Sequence, residues 1–122
     1  MNETSTELSV VIPAYNEEKR LEPSLRQALE YLSRRRRPYE LLVVDDGSRD
    51  GTARVAESFA GQGVRVIRHE RNRGKGAAVR TGLLASRGRK VLISDADFST
   101  PIEEVEKLER FLQDGTPLVI VL

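Results

Sequence analysis

Cysteine is absent from the 122 residues, which excludes disulfides, thiolate zinc sites and a cysteine nucleophile. No apolar run approaches the ~20 residues that cross a bilayer. The opening stretch MNETSTELS lacks the basic and apolar regions of a secretory signal. Histidine occurs once, at position 69, with no partner at the spacing of a metal site or catalytic triad, so His69 reads as an ordinary surface or loop residue. An excess of either charge is missing too: 20 Lys and Arg against 19 Asp and Glu leave a net +1, and nothing global attracts nucleic acid. The expectation is a cytoplasmic protein without a nucleic-acid partner, touching membranes only at its surface.

Charge is present but unevenly placed. From Arg65 to Lys90 nine basic residues face one acid, Glu70. From Asp95 to Asp114 seven acids face Lys107 and Arg110. A basic block beside an acidic block suits a metal-bound anion, although solvated helix faces account for much of it. Arg34, Arg35, Arg36 and Arg37 end a helical pattern, where cations suit the macrodipole; an anionic-lipid patch is the less favoured reading.

Apolar runs alternate with helical periodicity along the whole chain. Leu8 to Ile12 reads as a strand, and Leu21, Leu25, Ala28, Leu29 and Leu32 then mark an amphipathic helix that Pro38 should stop. Glu40 to Val44 is a second strand, Val55 to Ala60 a second helix, Val64 to Ile67 a third strand. Ala77 to Ser86 reads as helix and Lys90 to Ser94 as strand. Thr100-Pro101-Ile102-Glu103 is a capping box with proline at the first helical position, predicting a fourth helix. Leu118 to Leu122 is a fifth apolar run, in which the sequence stops. Continuous apolar strands alternating with helices predict a doubly wound α/β fold, a mainly parallel sheet with helices on both faces. Residues 1–122 are expected to be one domain.

In such a sheet the strand-to-helix loops share the carboxyl edge, where ligands bind. Three chemically loaded loops fall there: Pro13-Ala14-Tyr15-Asn16-Glu17, Asp45-Asp46-Gly47-Ser48 and Asp95-Ala96-Asp97. Two acids one residue apart invite a cation, and hard oxygen ligands select Mg²⁺ or Mn²⁺, which would bridge a diphosphate. Turn and cap roles explain Asp95 and Asp97 equally well alone; the second acidic pair on the same edge favours the metal. Asp45 and Asp46 could accept from a ribose hydroxyl or a base N–H, while Gly47 and Ser48 read as a turn in which Ser48 caps the next helix. Asp50 and Thr52 read as first-turn and capping residues. Asn72-Arg73-Gly74-Lys75-Gly76 fails the dinucleotide fingerprint, having Val79 at the third glycine position. It also fails the phosphate-loop pattern, with His69 and Gly76 at the required Gly and Ser/Thr. Lys75 at a helix start could still touch an anion, with tight glycine packing an equal alternative.

The motifs VVIPAYNEE, LLVVDDGSRDGT, RNRGKGAAVRTGL and SDADFSTPIEEVEKL stand in the order and spacing found in family 2 glycosyltransferases. The chain resembles the subgroup that makes dolichyl- or polyprenyl-phosphate glucose or mannose, over about Leu8 to Leu122. The resemblance implies a GT-A (Rossmann-like) fold and an inverting transfer of a hexose from a UDP- or GDP-sugar to a polyprenyl or dolichyl phosphate at the cytosolic membrane face. By motif it implies a nucleotide-sugar pocket of Pro13, Ala14, Tyr15, Glu17, Asp46 with Asp45, Asp95 and Asp97; the anion reading of the loop before the third helix adds Lys75 to that pocket. Asp95 and Asp97 form the DXD pair for Mg²⁺ or Mn²⁺, with Asp97 the direct ligand and Asp95 nearer the ribose or donor sugar. Where phosphomannose-lipid members carry a metal-completing glutamine, this chain has Ser99, a weaker ligand. Family members continue for about a hundred residues more, with the acceptor side and a catalytic base, so the base is expected beyond Leu122 and the fold is expected to be truncated after the fifth strand. A non-catalytic nucleotide-binding module, or an inactive fragment lacking the acceptor half, is the competing expectation. A nucleotidyltransferase would want a glycine-rich loop where PAYNEE stands. The open fifth strand is expected to pair with a second copy as a homodimer.

Overall fold

The computed structural model describes residues 6–96, 102, 106–107 and 118–121. Five strands form one sheet: β1 (Leu8–Ala14), β2 (Tyr39–Asp45), β3 (Val64–Arg68), β4 (Lys90–Ile93) and β5 (Leu118–Val121). Their order is β3-β2-β1-β4-β5 and each neighbouring pair is parallel. Parallel strands need crossovers, and helices α1 (Glu18–Arg34), α2 (Thr52–Glu57) and α3 (Lys75–Ala85) lie in the three that join β1 to β4.

The apolar strands sort by parity into two cores. Val10, Ile12, Leu41, Val43 and Leu92 pack with Leu21, Leu25, Leu29 and Leu32 of α1 and Ala56 of α2. Val11, Leu42, Val44, Val91 and Ile93 pack with Ala78 of α3. Burial on both faces is why the strands read as unbroken apolar runs rather than alternating ones.

Several boundaries differ from expectation. Helix α1 ends before Pro38, because Arg36 takes a left-handed φ of 57° and turns the chain there. Helix α3 begins at Lys75, two residues earlier than its apolar pattern, after Gly74 at φ 102°. The predicted capping box at Thr100 lies outside the described residues, apart from Ile102, which is buried; 106–107 are helical.

At the amino edge a polar network ties the strands together. Ser9 Oγ donates to Glu40 Oε2 at 2.6 Å across the β1–β2 register, and Arg65 Nε donates to Oε1 at 3.2 Å. The Arg87 amide adds a bond to Glu40 at 2.6 Å. A carboxylate 8% exposed is tolerable only with such satisfaction. This staple leaves the opposite edge to carry the chemistry.

Candidate functional site

The strand order reverses between β1 and β4, so the crevice of the fold opens at their carboxyl ends. A cleft of about 480 Å³ lies there. Pro13, Ala14, Tyr15 and Glu17 line it from the end of β1, Asp46 from β2, and Asp95 and Ala96 from β4. Asn72, Gly74, Lys75 and Ala78 line it from the start of α3. The three loops expected on one rim therefore meet, and the glycine-containing loop before α3 joins them.

Asp46 is the organising group. It is 3% exposed; its Oδ1 accepts from the Arg73 amide at 2.9 Å and faces His69 Nδ1 at 2.8 Å, while Oδ2 accepts from the Gly74 amide at 2.9 Å. Burial pushes its carboxyl up, but the hydrogen bonds from His69, Arg73 and Gly74, with the His69 charge, hold it below the ordinary 3.8. A carboxylate offers about four acceptor positions. His69 and the amides of Arg73 and Gly74 fill three of them.

His69 corrects the sequence reading. It is 7% exposed, with Nε2 at 2.8 Å from Thr81 Oγ1 on α3. An ionised carboxylate only accepts, so Nδ1 carries the proton shared with Asp46. The chain Thr81–His69–Asp46 pins α3 to the end of β2. Sequence spacing could not find it, because twelve residues separate His69 from Thr81 and twenty-three separate it from Asp46.

The β1–α1 and β2–α2 loops are stitched reciprocally. Ser48 Oγ accepts from the Asn16 amide and Thr52 Oγ1 from the Glu17 amide, both at 2.8 Å. Asn16 Oδ1 accepts from the Arg49 amide at 3.0 Å, and Glu18 Oε1 from that of Gly51 at 3.0 Å. Ser48 therefore does not cap α2; Gly51 occupies the cap position. Asp50 does serve the helix start, accepting the Thr52 amide at 2.9 Å. Asn16 pays for this cross-link with a left-handed φ of 53°, which Asn tolerates better than most residues. Gly47, at φ 76°, lies against the backbone of Arg71 and Asn72, so no side chain fits there.

Asp45 is fully buried and is not among the residues lining the cleft. Its Oδ1 accepts from the Ser48 amide at 3.1 Å, and its Oδ2 lies 3.4 Å from Arg68 Nε. It shapes the turn. Glu17 Oε1 pairs with Arg20 at 2.7 Å, and the Tyr15 ring stays 43% exposed at the rim. Lys75 Nζ lies 2.7 Å from Asp95 Oδ1, so a cation already stands against that carboxylate. Asp97 and Ser99 lie outside the described residues, among which no cluster of three metal-ligating side chains occurs. Of the two expected ligands only Asp95 is among the described residues, and a single carboxylate is within what Mg²⁺ or Mn²⁺ accept where phosphate and water supply the other oxygens.

Fold and cleft together define a Rossmann-like α/β unit of GT-A type, with an acidic and basic rim at the switch point. The chain belongs to glycosyl transferase family 2, whose sequence pattern matches residues 9–122. It is 50% identical over 120 residues to the dolichyl-phosphate beta-glucosyltransferase of Mus musculus, covering 91% of this chain and 37% of that protein. The chain thus spans little more than a third of that relative. Among solved structures it is similar to Staphylococcus aureus TarS 1-349 in complex with UDP-GlcNAc, at a TM-score of 0.73 and 28% identity over 87% of this chain and 31% of that one. It is also similar to the mannosyltransferase PcManGT from Pyrobaculum calidifontis in complex with GDP-Man and Mn²⁺, at a TM-score of 0.60 and 29% identity over 82% of this chain and 30% of that one.

Proposed function

We propose that this chain is the donor-binding unit of an inverting glycosyltransferase that moves a hexose from a UDP- or GDP-sugar to a polyprenyl or dolichyl phosphate. The observation that carries the reading is the meeting of Asp46, Lys75 and Asp95 in one cleft at the switch point. The likeness to a dolichyl-phosphate beta-glucosyltransferase supports the acceptor class. The ligands of the two similar structures support the donor class. On this reading a lipid-phosphate acceptor puts the reaction at a membrane surface, and the proposed side is the cytosolic one.

Each group has a task. The remaining acceptor position of Asp46 takes an N–H or O–H of the nucleoside, and the exposed Tyr15 ring offers a face to the base. Lys75 reaches a phosphate oxygen. Asp95 and Asp97 would hold Mg²⁺ or Mn²⁺, which supplies charge neutralisation of the departing diphosphate. Inversion requires the acceptor oxygen opposite that leaving group. A phosphate acceptor is already ionised, so this step makes little demand on a general base.

Calorimetric titration of UDP, GDP and ADP, in EDTA and in Mn²⁺, tests the reading. Tighter UDP or GDP binding in Mn²⁺, lost in Asp97→Ala without loss of fold, is expected. Equal affinity in both media, with the variant matching wild type, overturns it. A transfer assay with polyprenyl phosphate on the same protein separates a transferase from a nucleotide-binding module.

A further inference from the structure

Lys75 occupies an unfavourable place for a cation. It is the first residue of α3, where the helix macrodipole is positive, and no acid stands in that first turn. Its ammonium is therefore held there by something outside the helix. The partner in the structure is Asp95, at 2.7 Å across the cleft. The Gly74 amide beside it is anchored on Asp46, which fixes the base of the lysine stem. Both side chains are solvated, Lys75 at 67% and Asp95 at 46% exposure, and an ion pair of that kind is weak and readily exchanged.

We infer that Lys75 is the built-in counter-ion of Asp95 and makes the divalent cation enter together with the diphosphate rather than before it. This rests on the proposed reading of the cleft as a metal and nucleoside diphosphate site. A bare dication approaching Asp95 meets an ammonium already on one oxygen and is repelled by it. A cation arriving with a diphosphate brings the anion that draws the ammonium away. Lys75 then leaves Asp95 for a phosphate oxygen, where both its charge and the positive helix end are satisfied. One side chain thus opposes the metal alone and favours the nucleotide.

The consequence is a pair of effects of opposite sign from one substitution. Lys75→Met keeps the aliphatic stem and removes the charge. Its affinity for Mn²⁺ alone, read by water-proton relaxation or calorimetry without nucleotide, should rise about fivefold over wild type. Its affinity for UDP in EDTA should fall about tenfold or more, from the lost charge-assisted bond. Lys75→Arg, which keeps the charge, should behave as wild type in both titrations. Because the pair is exposed, all three proteins should share one thermal midpoint. A Lys75→Met protein that binds Mn²⁺ alone no more tightly than wild type overturns the inference, whatever happens to UDP. Failure of wild type to bind UDP with Mn²⁺ present would instead remove the cleft reading on which it rests.

Discussion

At the scale of single residues the molecule turns on Asp46. Its carboxylate is spent mainly inside the protein, on His69 and on the amides of Arg73 and Gly74. Asp46→Asn is therefore a stability variant as well as a binding one, because its NH₂ faces donors it cannot accept from. We expect a loss of about 1–3 kcal/mol in urea unfolding at neutral pH. The sign of the pH dependence follows from the depressed pKa. A lowered carboxyl stabilises the fold above its unfolded value of 3.8 and loses that contribution as pH falls through the lower folded value. The gap between wild type and Asp46→Asn should thus close below about pH 4. A gap that stays constant between pH 6 and pH 3 would show that ionisation of Asp46 is not what holds the loop. Asp50 is also held low: burial raises it, and bonds from Thr52 and the Glu18 amide outweigh that. It is shared by both proteins and cancels in the comparison.

At the scale of elements, the position of α3 decides whether Lys75 and Gly74 reach the cleft. Gly82 sits where α3 crosses the sheet; a Cβ there would collide with Val11 Cγ1 and meet Val44 Cγ2 at 3.3 Å. Val11 and Val44 are fully buried and β-branched, so neither yields easily. Two effects of opposite sign compete in Gly82→Ala. Helix propensity favours alanine by about 1 kcal/mol, whereas overpacking costs about 1–3 kcal/mol. The collision should win, and the thermal midpoint should fall. A raised midpoint would mean that α3 lies further from the sheet than its packing indicates. The end of α1 shows how little a run of one residue type says about partners: Arg34 pairs with Glu30, and Arg35 and Arg37 with Glu7.

At the scale of the whole molecule, charge and edges are distributed unequally. Arg20, Arg26 and Arg34 of α1 and Arg54 of α2 each have a carboxylate partner. Among the described residues the sheet has two outer strands, β3 and β5. The β3 edge carries Arg65 and Arg68, charges that discourage further pairing. The β5 segment, Leu-Val-Ile-Val, carries none. No helix among the described residues is long and apolar enough to cross a membrane.

The alternation of strands and helices, the two-sided burial and the three acid-bearing loops were determined by local pattern. Side-chain period and loop chemistry are encoded in neighbouring residues, and a parallel sheet must send all its strand-to-helix loops to one edge. The family motifs also lie in short contiguous stretches, so donor-site candidates such as Tyr15, Asp46 and Asp95 are legible in the sequence alone, as is Lys75 from its place at a helix start. What only the tertiary structure decided is which polar atoms face each other. Asp45 and Asp46 are adjacent and chemically identical, yet one is turned under Ser48 and Arg68 while the other lines the cleft. His69, with no partner at any sequence spacing, becomes the link between Asp46 and Thr81. Ser48, a cap by its position, serves another loop instead. These pairings join residues from different crossovers, and their partners are set by strand order and by the depth at which each loop packs. Neither quantity is written in any one segment.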